Sequence, residues 1–389
     1  MRLHEDQAKS ILSARGIAVP RGFTASSAEE AASVAAQIGG PVVVKALILS
    51  GGRGKAGGVR TAQTPDEAGR IAAGLLSGRL VTSQTGPSGA VVRRVLIEES
   101  IPVVRETYLA MAVDRGLGRV VVLASGQGGM ELEALAAASP QAVIRETVPI
   151  PTGPSSVQAE AIAAACGLAG PDAEGFTRAL LALWRAFRDS DAGLIEINPL
   201  GLALGGGWLA LDAKMILDDS ALSRHPELAR LRDSADDDPR EAEAAAVGLS
   251  YVRLDGDIGC LVNGAGLAMA TADIIEMAGG HPADFLDIGG GVGEDALREG
   301  YRIVASDPAV RAILINVFGG IVRCDLVASG VVRACRDFSL DAPLVVRMLG
   351  TNDEDGRRIL AESGLAFQTA ETMDEAAAKS VAAAAGARS

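Results

Sequence analysis

Apolar residues recur at helical spacing over residues 5–15, where Ala8, Ile11 and Leu12 share one face, and this spacing predicts a helix. A second helix is predicted over 27–38. Ser26 or Ser27 caps it, and Glu29 and Glu30 occupy its first turn, where carboxylates suit the helix dipole. The apolar run 41–49 predicts a strand that feeds a glycine-rich stretch, 51–58. Further strands are expected at 90–98 and 107–113, the second turning through 114–118 into 119–124 as a hairpin. Two helices are expected between residues 156 and 189, one on each side of 167–171. Strands at 194–197 and 208–212 flank a glycine turn at 205–207.

The pattern changes after Asp257. Short apolar strands are expected near 258–262, 283–288, 312–317, 344–347 and 366–369, with helices between them. Regular β/α alternation implies a parallel sheet covered on both faces, a small doubly wound domain of flavodoxin-like size. Between the two regimes lies a charged run, 233–240, that ends in Pro239-Arg240. It reads as a linker or a capped surface helix and sets the expected division, residues 1–240 and residues 241–389.

A chain of 389 residues is too long for one compact core, and 48% apolar content is enough to build more than one. Aromatics are only 3%, so the cores are aliphatic and suit packed helices and parallel strands. A formal charge of −13 argues against nucleic acid as the main partner, yet leaves room for a local phosphate site built from backbone N–H groups, a few cations and Mg2+. Cys166, Cys260, Cys324 and Cys335 form no C-x-x-C pair and suit buried thiols in a reducing compartment. The amino-terminal residues lack the apolar segment of a secretory signal, and no apolar run approaches a membrane span. A cytoplasmic location, or an organellar one after processing, is therefore expected, with no membrane partner.

Three features could carry chemistry. The first is Gly51-Gly52-Arg53-Gly54-Lys55-Ala56-Gly57-Gly58, just after a strand that contains Lys45. Glycines let a backbone approach phosphates, and Arg53 and Lys55 add charge. The spacing matches neither the P-loop nor the dinucleotide fingerprint, so a surface turn fits these residues nearly as well. The second is Glu196-Ile197-Asn198-Pro199, followed by Asp212-Ala213-Lys214. Two strands joined by a short turn would bring Asn198 and Asp212 together as oxygen donors for Mg2+; an Asn-Pro turn beside a strand-end Asp fits equally. The third is a set of glycine turns at strand-to-helix junctions: Asn263-Gly264-Ala265-Gly266, Gly289-Gly290-Gly291, and Gly319-Gly320-Ile321-Val322-Arg323-Cys324-Asp325. Such junctions form the ligand crevice of a parallel sheet. The histidines, His4, His225 and His281, lack metal-site or catalytic spacing, so a nucleophile must come from a substrate or another chain.

With these residues in view, the chain resembles the β subunits of succinyl-CoA synthetase (ADP- or GDP-forming succinate–CoA ligase) over essentially its whole length, and the related malate–CoA ligase β subunits share the framework. The matching stretches are Leu3-His4-Glu5 with Gln7-Ala8-Lys9, then 51–58, 196–200, 236–242, 262–269 and 318–325. The resemblance implies an α/β protein, with an ATP-grasp N-terminal domain followed by a flavodoxin-like doubly wound CoA-ligase domain. It implies that Lys45, Gly52, Arg53 and Gly54 contact the phosphates of ATP or GTP. Glu98 would mark the adenine and ribose hinge, with Ile101 and Glu106 also on the nucleotide. Asn198 and Asp212 would hold Mg2+. Asn263, Gly320, Ile321 and Val322 would receive the carboxylate of a small dicarboxylate, succinate foremost, with malate or another acid as the alternative. Glu196 would face a phosphohistidine of an α subunit, which binds most of the CoA in an αβ or α2β2 assembly. The chain departs from the family at Leu47-Ile48-Leu49-Ser50, where Gln-Val-His-Ala is usual. It departs again at Leu349, which replaces a glutamate, and at Asp6, which replaces a tyrosine.

Overall fold

The structure, a computed structural model, describes residues 1–387 apart from 88, 131, 234–237, 292 and 339–341, and leaves aside the side chains of 133 and 138. The chain divides into two compact units, Met1–Arg232 and Asp233–Ser389. Part of the expected charged linker, 234–237, lies outside the described residues. Pro239 opens a helix, Pro239–Ala246, whose Asp238 cap accepts the Arg240 N–H.

The first unit holds two principal antiparallel sheets. In the smaller, the strand order is Gly22–Ala25, Val95–Glu99, Val42–Ala46, Val59–Ala62. Alternation along these strands sorts their side chains by face. Val42, Val44, Ala62, Val95 and Ile97 bury against the helices Ala28–Ile38 and Pro65–Leu76. Val43, Lys45 and Glu98 point the other way, and the register sets Val43 opposite Glu98 and Lys45 opposite Leu96. The larger, seven-stranded sheet includes the neighbours Ala213–Leu217, Ala192–Ala203, Val103–Asp114 and Arg119–Ser125. Its inner face carries Leu109, Met111, Ile195, Ile197 and Met215, packed with residues of the 20-residue helix Gly170–Asp189. Glu196 and Asn198 alternate onto the opposite face.

Two strand expectations needed revision. The run 90–98 is two strands: Ala90–Val91 pairs with Arg79–Leu80 in a separate ribbon, and Val95–Glu99 joins the four-stranded sheet. One ladder cannot serve two sheets, so the chain changes partner at Arg93-Arg94. The return strand Trp208–Ala210 stops before Leu211, whose N–H donates to the Pro199 carbonyl as the chain turns into Ala213–Leu217. The hairpin and the helix pair around 167–171 are found as expected.

In the second unit the strand order is Ser250–Arg253, Asp284–Asp287, Ile258–Val262, Ala312–Gly319, Leu344–Gly350, Phe367–Ala370. The first is antiparallel and the other five are parallel. Numbered along the chain, the parallel strands lie in the order 2-1-3-4-5 of doubly wound flavodoxin-like sheets. Helices Ala265–Met277 and Met373–Gly386 supply buried residues to one core layer. Helices Glu294–Ala305, Cys324–Asp337 and Asp353–Glu362 supply the other. Cys166, Cys260 and Cys324 are buried free thiols and Cys335 is half-buried. Among the described residues no helix is long and apolar enough to cross a membrane.

Asp284, the first residue of its strand, is fully buried and accepts the Cys260 N–H at 3.0 Å. Burial pushes its carboxyl up to about 8, helped by Asp307 and opposed by the Cys260 N–H and Arg240. A carboxyl raised in the folded state holds its proton there after the unfolded chain has released it. Its stabilising contribution is complete below the ordinary carboxylate range and is lost as pH rises toward 8, at no more than about 1.4 kcal/mol per pH unit. Asp284→Asn is therefore expected to flatten the fall in stability between pH 5 and 8, measured by urea unfolding at each pH. A slope equal to the parent's would remove Asp284 as the titrating group.

Candidate functional site

The outer faces of the two sheets in the first unit line one cavity of about 550 Å3, a size in the range of small-molecule and cofactor sites. Lys45, Gly52, Arg53, Gly54, Glu98, Ile101, Glu106, Glu196, Asn198 and Asp212 all line it. Residues nearly 170 positions apart in the chain are thus brought to one wall.

The glycine loop folds around its own arginine. Ala46 N–H donates to the Gly58 carbonyl and Gly58 N–H to the Arg53 carbonyl, closing the loop at its base. Gly52 has φ +76°, a backbone state that an L side chain rarely adopts. The closed loop turns the Arg53 side chain inward, where it donates to the Ala46 carbonyl at 3.0 Å. It pairs there with Glu5 at 2.6 Å and with Asp212 at 2.7 Å.

These contacts belong to a network of six charges, five of them buried. Lys45 donates to Glu5 Oε1 at 2.7 Å, to Glu98 Oε2 at 2.8 Å and to the Leu211 carbonyl. Lys9 meets Glu5 at 2.7 Å and both Glu98 oxygens. Three cations face three carboxylates, so the network is neutral, which is the condition for burying charge at tolerable cost. Burial alone would raise the Glu5 carboxyl, but Lys45, Lys9 and Arg53 hold it well below the usual range. Burial opposes the Lys45 and Arg53 cations too, yet facing carboxylates raise both. Lys9 is lowered, because burial outweighs the help of Glu5 and Glu98.

Glu98, expected at the hinge, is 3% exposed and bridges Lys9 and Lys45. It lies diagonally across from Lys45 on the same sheet face, which explains the pairing. Glu99 at the strand end, with Ser100 and Ile101 past it, lines the cavity. Glu5 and Lys9 were not singled out from the sequence, although a signal was there. Glu5, Ala8, Lys9 and Leu12 fall at i, i+3, i+4 and i+7 and form the buried stripe of their helix. Two opposite charges on an apolar stripe require partners.

Asn198 and Asp212 meet as expected, the Asn198 N–H donating to the Asp212 carbonyl at 3.2 Å. The β-register shifts between Ile197 and Leu200, where Pro199 cannot donate to the ladder. The Asn198 side chain holds the loop after Arg119–Ser125: Oδ1 accepts the Gly129 N–H and Nδ2 donates to the Met130 carbonyl, both at 2.8 Å. Gly129 has φ +77°, a backbone state that an L side chain rarely adopts, where this loop crosses Glu106. Asp212 is 37% exposed and is held on one oxygen by Arg53. An Asn carbonyl and a half-exposed carboxylate are hard oxygen donors and fit Mg2+, which takes few protein ligands and completes its shell with water and phosphate.

The second unit gathers its candidates at the carboxyl ends of the parallel strands. Asn263 donates Nδ2 to the Phe318 carbonyl at 2.9 Å and accepts the Phe318 N–H at 2.8 Å. Both of its amide atoms therefore tie the first junction to the third. Asp287 Oδ1 accepts the Gly264 and Gly289 N–H groups, tying the first to the second. Gly320 is exposed and Ile321 is 87% exposed, whereas Val322 points into the core at 7%. The helix Cys324–Asp337 starts directly behind them.

The chain is similar to known proteins over both of its units. Residues 2–202 match the ATP-grasp domain family, and residues 261–381 match the CoA-ligase family. A protein of Anaeromyxobacter dehalogenans (strain 2CP-C), named succinate–CoA ligase [ADP-forming] subunit beta, is 50% identical over 99% of both chains. One of the same name from Solibacter usitatus is 49% identical over 98% of this chain and 99% of its own. The solved ATP citrate lyase of Methanothrix soehngenii, in complex with citrate and coenzyme A, shares the fold with a TM-score of 0.74. It covers 96% of this chain and 97% of its own at 20% identity.

Proposed function

This chain belongs to the family of β subunits of ADP-forming succinate–CoA ligases, and from that membership we infer that it is the nucleotide-binding half of an ADP-forming acid–CoA ligase. The overall reaction joins acid and CoA at the expense of a nucleoside triphosphate, releasing acyl-CoA, nucleoside diphosphate and phosphate. The observation that carries the reading is the convergence of Lys45, Arg53, Glu196, Asn198 and Asp212 on one cavity.

In this reading the phosphates of ATP or GTP lie against Lys45, Gly52, Arg53 and Gly54, and the base and ribose extend toward Ile101 and Glu106. Mg2+ would be held by Asp212 and Asn198, and when bound it supplies charge neutralisation on the phosphoryl oxygens. Arg53 already balances Asp212, so it can exchange that carboxylate for a phosphate oxygen while Glu5 still holds it from behind. The acceptor of the phosphoryl group must come from outside. His4 is buried, His225 is paired with Asp191, and His281 precedes a strand at the end of the sheet opposite the glycine junctions. We assign the acceptor to a histidine of an α subunit, presented to Glu196. That phosphohistidine passes its phosphoryl to the acid, and the CoA thiol, held mainly by the α subunit, displaces phosphate from the acyl phosphate. In the second unit the backbone N–H groups at Ile321 and Val322, before a helix N-terminus, suit the acid's carboxylate, whereas the Gly320 N–H is already donated to the Phe318 carbonyl. Asn263 holds that turn in place.

The chain alone is expected to be inactive, and co-expression with an α subunit to restore CoA-dependent ADP release. Full activity of the isolated chain would refute the two-subunit reading. Succinate is the proposed acid. A panel of succinate, malate, itaconate and sulfoacetate with the reconstituted pair decides it, and preference for malate would move the chain to the malate–CoA ligase branch. Glu196→Gln is expected to slow phosphoryl exchange with the partner histidine by about 100-fold, the scale of a lost acid–base or orienting group. Nucleotide affinity should not change. An exchange rate equal to the parent's would remove Glu196 from that role.

A further inference from the structure

Glu5 is the least exposed side chain of the charge network, at 1%. It stands one residue inside the first helix, Glu5–Ala14. Burying a carboxylate this deeply is unfavourable unless cations surround it, and both of its oxygens are engaged. Oε1 takes Lys45 and Lys9, each at 2.7 Å, and Oε2 takes Arg53 at 2.6 Å. Lys45 comes from a strand of the four-stranded sheet and Arg53 from the glycine loop, so a single carboxylate from a third element joins them. The partners of Arg53 differ in access. Asp212, at 37% exposure, faces the cavity, whereas Glu5 lies behind the guanidinium. Lys9, one turn along the helix, secures the carboxylate from the rear and is itself pinned by Glu98 and the Leu211 carbonyl.

We infer that Glu5 is a positioning residue for the triphosphate: its carboxylate sets the spacing of Lys45 and Arg53 and holds both in place when Arg53 exchanges Asp212 for phosphate. This deepens the nucleotide-binding reading and rests on it. Glu5 borders the cavity only in its depth, 1% exposed and with both oxygens engaged, so it acts on the triphosphate through the two cations. Its influence must therefore scale with the phosphates of the ligand and leave recognition of base and ribose alone. A structural role for the same residue would weaken every ligand of the cavity alike.

The test is binding of adenosine and of Mg2+–ATP to the full-length chain, by competition against a fluorescent nucleotide analogue, for the parent, Glu5→Gln and Glu5→Asp. The glutamine variant keeps the shape and removes the charge. Its ATP affinity is expected to fall roughly 10–100-fold, the worth of a charge-assisted hydrogen bond in a buried site, with adenosine affinity unchanged. The aspartate variant keeps the charge on a shorter arm and is expected to recover part of the ATP loss, again with adenosine unchanged. Should the glutamine variant fail to fold, the aspartate variant decides by the same ratio. A loss confined to ATP supports the role, and an equal loss for both ligands, or none, overturns it. If the parent chain does not bind Mg2+–ATP, the functional reading itself falls. If the parent binds and the ratio of the two affinities does not move, only the role of Glu5 falls.

Discussion

Lys45→Met is expected to lower both the stability of the first unit and its affinity for nucleotide, each by a large margin. The ammonium is 8% exposed and answers Glu5 and Glu98 together. Methionine fills much of the space but leaves two deeply buried carboxylates with only Lys9 and Arg53 to balance them. Breaking a buried ion pair by deleting one partner costs about 3–5 kcal/mol. For a unit of this size that corresponds to a fall in melting temperature on the order of 10 °C. The parent cation also lines the cavity, so Mg2+–ATP affinity should fall at least about 10-fold even for the folded fraction, the loss of one charge-assisted contact. Calorimetric melting and nucleotide titration check the two parts separately. A variant that melts with the parent would show that the six charges are not mutually dependent.

Asp212→Ala should show the opposite separation: normal folding and very little turnover. Its carboxylate is partly exposed, and Arg53 keeps Glu5 and the Ala46 carbonyl when it is gone. The melting temperature should stay close to the parent's. Turnover of the reconstituted enzyme is expected to fall by about 10²–10³, the scale for removing one group that stabilises charge in the transition state. The Mg2+ concentration for half-maximal rate should rise. Normal activity at ordinary Mg2+ would remove Asp212 from the metal site.

The second unit was almost fully legible in the sequence. Three of its five parallel strands are aliphatic runs and four lead into a glycine turn, so pattern places them, while the antiparallel edge strand Ser250–Arg253 carried no such signal. The first unit was legible in parts. Lys45 at the end of a strand, the glycine loop, and the Asn198 and Asp212 hairpin each carried a local signal. What escaped was pairing at long range. Lys9 reaches Glu98 across 89 residues and Arg53 reaches Asp212 across 159, and no local spacing encodes such contacts. The resemblance put Glu98 at the nucleotide hinge, whereas the sheet face it occupies commits it to Lys9 and Lys45. The departures at 47–50 find a physical setting here. Leu47 and Ile48 are buried, and Leu49 and Ser50 line the cavity beside the glycine loop, so that wall is more apolar than the family's usual polar residues would make it. Asn263 teaches a different lesson. Sequence position marks it as a ligand-binding residue, but its amide is spent on the Phe318 backbone, and its effect on a ligand would pass through the turn it holds.

Among the described residues that line the cavity, Lys45, Arg53, Lys55 and Lys214 stand against Glu5, Glu98, Glu99, Glu106, Glu196 and Asp212. With Lys9 counted behind Glu5 and Glu98, five cations face six carboxylates, so the wall carries no net positive charge before any ligand arrives. A bare polyphosphate approaching it gains no net attraction from the wall as a whole. The favourable visitor is one whose own charge has largely been cancelled by a cation it carries in. Affinity for the nucleotide and affinity for the cation then rise together and by the same factor, as linkage requires. A cell's supply of free divalent metal would set how full this subunit is as surely as its supply of nucleotide.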